Sequence, residues 1–490
     1  MKNILIVLAA FVSVSLSAQT ISETEALRDA QKFLQTSNAK VTKLKSLRSA
    51  NLSLVKKGYA HGSETPAYYV FSGEDANDGF VIVSGDSRTS HRILGYSTSG
   101  KFRADNMPEN MRMWLGEYAD QIDAIRGANA VINEGTGMED ALGNVVVEPL
   151  ITTQWNQDEP FNGMCPEMNG ERSAVGCASV AVGQVMNYYK WPKQGMGQKE
   201  YEWNSSLIKK NFSESKYDYD NLDVAEFLYD VAVGVETKFG IEESSASDIN
   251  IGKAMMDYFG YDRGLQIHNR HPTVISSSSS QGWSIELPGW SDEDWDNMIR
   301  AELDAKRPVL WGAGKGRTGD GHEFICDGYD DAGYFHFNWG WGGYCDGWYV
   351  TSSLNPEYAN SGYNYNTSII IDVKPDEGND QWMGSYGNEN YIWGFCDSVY
   401  VRYCLENDST HEKFYAPPKR QELVDGSTVY AKDLDWLPEF PEETIIPDGT
   451  YRKYEAYCIL GTDKYFPVQY GYGEDRNGSY ETFKWVVSFA

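Results

Sequence analysis

The run GCASVAVGQVMNYYKWP, residues 176–192, decides how this chain is read. Ala178, Ala181, Val185 and Tyr188 recur at helical spacing and Pro192 stops the pattern, so the run predicts a helix that opens at Cys177. Gly176 precedes the cysteine. The sulfur is therefore expected at a helix mouth, where partial positive charge favours the thiolate, the nucleophilic form. A buried structural cysteine or one half of a disulfide is the plain alternative. What separates the two is a base beside the sulfur.

The chain holds seven histidines, at 61, 91, 268, 271, 322, 336 and 411. His322 follows Gly321 and opens a strand-like run, Phe324-Ile325-Cys326, whereas His336 lies inside a second one. Residue type and position alone separate these two only narrowly. Asn338, sixteen residues after His322, is expected on the neighbouring strand of a hairpin, where its amide could orient the imidazole and Trp339 could shield that bond from water. Gln157, twenty residues before Cys177, could donate to a developing oxyanion beside the Cys177 N–H. Trp339 and Trp341 are expected to help bind substrate.

Further out, the 490 residues suggest roughly three folding units at about 150 residues each. Residues 1–18 read as a signal peptide: Lys2, then an apolar run from Ile4 to Val14 too short for a membrane span. This predicts a secreted, periplasmic or extracellular protein. A unit over 19–145 follows, including a linker at Asn133–Gly143. In it Ser22 and Glu25 form a capping box ahead of Ala26, Ala30, Phe33 and Leu34 on one helical face. Strand-like runs at Ala67–Phe71 and Gly79–Ser84 come next, then a helix from about Pro108 with Met111, Leu115, Tyr118 and Ile122 on one stripe. A second unit, 146–374, places helices before antiparallel strands, including a helix capped by Ser291, which indicates α+β. Ser276–Ser280 reads as a loop insert. Residues 375–490 break into short aromatic runs such as Tyr391–Phe395 and Phe483–Phe489, an all-β appendage.

The formal charge of −29 argues against nucleic acid or an anionic membrane as partner. Seven cysteines in an exported chain flag one left over, and no Cys/His spacing suits zinc, so neither a metal nor any other cofactor is expected.

Four blocks in order give these residues a context. They are Trp155–Asn162, Gly176–Ala181 running to Tyr188–Pro192, Gly321-His322-Glu323-Phe324, and His336–Gly343 with its Asn338-Trp339-Gly340-Trp341 core. Together with Leu354-Asn355-Pro356 they resemble the streptopain family of cysteine peptidases. Tyr68–Phe71 and Gly79–Asp86 resemble the pro-segment that such enzymes carry and remove. The resemblance implies a papain-like fold, a zymogen, and cleavage of peptide bonds in proteins through an acyl-enzyme. It places the nucleophile on Cys177, the base on His322, the oxyanion donor on Gln157 and the orienting pair on Asn338 and Trp339, with the pro-domain as an intramolecular inhibitor. One departure stands out: Glu323 follows the histidine where the family usually has a small or apolar residue. The rival from another class is a catalytically silent secreted binding protein that uses the aromatic tail. Retention of Cys, His, Asn and Gln argues against it. Comparing hydrolysis with amine incorporation would separate a transglutaminase-like acyl transfer.

Overall fold

The computed structural model describes residues 20–35, 51–75, 78–107, 109–127, 142–241, 243–262, 265–270, 290–315, 321–352 and 365–376, and otherwise only short strands between 273 and 287 and between 391 and 475. The signal peptide, the linker up to residue 141, Leu354–Pro356, Phe483–Phe489 and nearly all of Ser276–Ser280 lie outside the described residues.

The first helix, α1 (Glu23–Gln35), starts at the expected capping box. Ser22 N–H donates to Glu25 Oε2 at 2.8 Å, Glu25 N–H donates to Ser22 Oγ at 3.3 Å, and Ala26, Ala30, Phe33 and Leu34 are all buried. Strands β1 (Ser53–Gly58), β2 (Tyr68–Ser72), β3 (Phe80–Ser84) and β4 (Ile93–Ser97) form an antiparallel meander under α1. Helix α2 (Glu109–Gly127) buries Met111, Leu115, Tyr118 and Ile122, the stripe read from the sequence.

After β5 (Val145–Val147) comes α3 (Cys177–Tyr189). Every residue from Cys177 to Met186 is buried, as a helix apolar on all sides requires. It ends at Lys190, whose left-handed conformation closes the last turn before Pro192. Helices α4 (Val224–Gly234) and α5 (Asp248–Asp257) pack beside it around Val180, Val185, Leu228, Val231, Ala254 and Ile325. Asp223 and Ser247 cap them through side chains that accept from Glu226 and Asn250 N–H. Strand β6 (Gln266–Asn269), α6 (Asp292–Asp304, capped by Ser291) and strands β7 (Val309–Lys315), β8 (Gly321–Asp330), β9 (Phe335–Asn338), β10 (Gly347–Tyr349) and β11 (Tyr365–Ile371) complete this part.

Ten strands form one antiparallel path in the order β1-β2-β3-β4-β10-β9-β8-β7-β11-β6, with β5 on the end of β8. The joint is the β4–β10 pair, Tyr96 opposite Trp348 and Gly95 opposite Tyr349. The N-terminal segment and the part bearing Cys177 thus share a single sheet, and they share a core as well. Trp114 of α2 packs edge-on against Trp311, Phe324, Phe337 and Trp339, with ring centroids 5.0–6.1 Å apart. Met1–Arg270 with Ser291–Pro375 accordingly forms one compact unit, and His271–Trp290 with Asp376–Ala490 a second. In the second unit the described strands are antiparallel, built on Ser398–Asn407 against Thr450–Leu460. The whole is α+β. No helix among the described residues is long and apolar enough to cross a membrane.

Candidate active site

Gly176 sets the entry to α3. Its φ is +91°, and a Cβ there would lie 3.0 Å from the Ser244 carbonyl oxygen, so both its conformation and its space call for glycine. The chain on either side is pinned: Val175 N–H donates to Gln157 O at 3.1 Å, Ala174 N–H to Gly240 O at 3.0 Å, and Ser244 Oγ to Ala174 O at 2.7 Å. These bonds carry Gln157, Gly240 and Ser244 to the mouth of the helix.

Cys177 is 5% exposed, and its Sγ accepts the Glu323 N–H at 3.3 Å. The residue after His322 therefore lies against the sulfur. His322 is buried, with Nε2 3.8 Å from the exposed Glu243 carboxylate. Burial pushes the Cys177 thiol up to about 12. The N–H groups of Glu323 and Ala178 pull it down, and the Glu323 and Glu243 charges push it further up. The helix terminus acts as the sequence suggested, but burial outweighs it here.

Asn338 lies on β9 opposite Ile325 of β8, as the hairpin reading expects. Its Oδ1 accepts from Gln184 Nε2 and from Gly340 N–H, both at 3.0 Å, while its Nδ2 donates to Thr153 O at 3.1 Å. Both acceptor positions of Oδ1 are thereby filled. Gln184, seven residues after Cys177 on the same face of α3, also accepts from Thr153 Oγ1 at 2.9 Å and Trp155 N–H at 3.3 Å. It ties the cysteine helix to Asn338, and nothing local in the sequence marked it. Gln157 is 8% exposed beside Val175.

Trp339 is fully buried. Its Nε1 donates to Cys345 O, and its ring lies on Phe324 at 4.6 Å. Its carbonyl accepts from Asn110 Nδ2 of α2 at 2.7 Å, so the N-terminal segment reaches the backbone beside Asn338. Trp341 is half-buried. His336 pairs with Asp327 at 2.6 Å, away from the cysteine and beneath the β10 tryptophan, Trp348. Cys165, Cys326 and Cys345 are also free and buried, so position rather than odd count singles out Cys177. The acid neighbours Glu243 and Asp248 escaped the sequence reading.

Residues 155–349 match the model of the Peptidase C10 family, and residues 18–122 match that of the Spi protease inhibitor. The chain is 29% identical to streptopain of Streptococcus pyogenes serotype M28 over 397 residues, 72% of this chain and 92% of that protein. It is 29% identical over 396 residues to the thiol protease/hemagglutinin PrtT of Porphyromonas gingivalis, covering 74% of this chain but 42% of PrtT. A Prevotella intermedia prointerpain A fragment superposes with a TM-score of 0.49 and 24% identity, covering 66% of this chain and 98% of the fragment.

The two family matches are those of a cysteine peptidase with an inhibitor-like segment ahead of it. More narrowly, the match over residues 155–349 and the 29% identity to streptopain make the chain similar to the streptopain family.

Proposed function

We propose that the chain is a secreted cysteine endopeptidase made as a zymogen, with Cys177 as nucleophile and His322 as base. The observation that supports this is the contact of β8 with the mouth of α3, where the N–H of Glu323, the residue after His322, meets the Cys177 sulfur. His322 takes the thiol proton, the thiolate attacks a peptide carbonyl, and the Cys177 N–H with the Gln157 amide holds the oxyanion. His322 then protonates the leaving amine, and water hydrolyses the acyl-enzyme.

Residues 19–145 act as the pro-domain, and 146–374 as the peptidase domain. The inhibitor-like match, the shared sheet and the Asn110 bond to Trp339 O support intramolecular inhibition. In this form the thiol is held neutral and Asn338 is tied to Gln184. Withdrawal of α2 frees the Trp339 backbone, and Asn338 turns to the His322 ring. Residues 375–490 form a C-terminal β-rich domain.

Casein hydrolysis by the full chain, with Cys177→Ala and His322→Ala variants alongside, tests the reading. The wild type digests casein once the segment is cut, and both variants are inert. Equal digestion by Cys177→Ala would refute it.

A further inference from the structure

Glu323 has no part in the chemistry above, and its surroundings are unusual. Alternation along β8 turns Phe324 toward Trp114 and turns Glu323, with Ile325, toward the helices. Glu323 is 5% exposed, and its Oε1 has no hydrogen-bond partner among the described residues. Opposite it on β7 is Gly312, itself opposite Ser368 of β11. A Cβ on Gly312 would meet Ser368 Oγ at 2.6 Å, Glu323 Oε2 at 3.1 Å and Asp248 Oδ1 at 3.2 Å. Two carboxyls and a hydroxyl therefore converge over a glycine, beside the cysteine whose sulfur the Glu323 N–H touches. Ser368 Oγ donates to Asp248 Oδ2, and among the described residues no Lys or Arg acts on either acid.

Burial, with the Asp248 charge second, holds Glu323 well above the usual carboxylate range. A buried carboxyl with an orphan oxygen is unfavourable by itself, and such groups are kept where something else completes them. Asp248 is half-buried, and exposed Glu243 lies 3.8 Å from His322, the residue beside Glu323. A long aliphatic stem with a cationic head can reach buried acids from such an exposed one.

We propose, on the cysteine-peptidase reading above, that Glu323 and Asp248, approached past Glu243, form a subsite. It takes a Lys or Arg side chain of the substrate within two residues of the scissile bond. The cation ionises Glu323 and supplies the missing partner of Oε1. A consequence lies in the chain itself: no Lys or Arg occurs from Gly127 to Glu171, so the stretch joining α2 to the peptidase part is a poor substrate for its own site.

The test is a peptide panel carrying Arg, Lys, Leu or Glu at each of the two positions on either side of the cleaved bond. It is given to the full chain cut between Gly127 and Val145 by an added, then inhibited, protease. Active sites are counted by an epoxide thiol label, and Cys177→Ala sets the blank. At one or more positions Arg or Lys should raise kcat/KM about tenfold over Leu. Glu323→Gln should bring that ratio to about one, and Asp248→Asn, at a more exposed position, should lower it part-way. No basic preference, or one unchanged in both variants, overturns the subsite and leaves the labelled peptidase standing. If nothing is cut and nothing is labelled, the peptidase reading falls and the subsite with it.

Discussion

At Cys177 the helix terminus and burial pull the thiol in opposite directions. The first-turn N–H groups favour the thiolate, but a sulfur 5% exposed with Glu323 and Glu243 as neighbours is held up near 12. An acid whose pKa is raised stays protonated below that value, so at pH 7 only about one thiol in 10⁵ is ionised. Alkylation of Cys177 by iodoacetamide in the intact chain should therefore be slow at neutral pH and climb about tenfold per pH unit up to pH 11. A plateau reached below pH 8 would show that the ion pair already exists in the full-length form. The residues of this site were legible unequally. Cys177, His322, Gln157 and Asn338 stand in contiguous blocks that resemble those of the streptopain family. Gln184, Asn110, Glu243 and Asp248 do not, because their partners lie across the fold, 154 residues away for Gln184 and 229 for Asn110.

Among the elements, α2 joins the two parts of the large unit. Its buried stripe was readable as a 3.6-residue pattern, but the pattern gives no sign that Trp114 would be sunk among aromatic residues of β7, β8 and β9. Likewise β2 and β3 were visible as strands, while the β4–β10 pair is not, since register across some 250 residues leaves no local trace. Through Trp114 the N-terminal segment packs into the core of the part that bears Cys177. Removing the Trp114 ring leaves a cavity between five rings, with a loss of about 3–5 kcal/mol. Trp114→Ala should lower the denaturant midpoint of the intact chain correspondingly and speed its conversion to an active form. A shift equivalent to less than about 1 kcal/mol would mean that the helix is held by something other than this ring.

For the whole molecule, the proposed function makes inhibition and catalysis two states of one sheet. With β1–β4 in place the sheet runs unbroken through β8, α2 packs Trp114 on Phe324, and Asn110 holds the Trp339 carbonyl. The α+β class followed from helix and strand patterns along the chain. The continuity of the sheet followed from none of them. The measurement that tests the central claim most directly is the rate at which an epoxide thiol label captures each cysteine, mapped by tandem mass spectrometry. It is made on the full chain before and after residues 20–127 are removed, with His322→Ala as control. The account predicts that Cys177 alone gains reactivity at neutral pH, by at least about 100-fold, only after removal, and only with His322 present. Labelling of Cys177 at equal rates before and after removal, or unchanged labelling in His322→Ala, would contradict it.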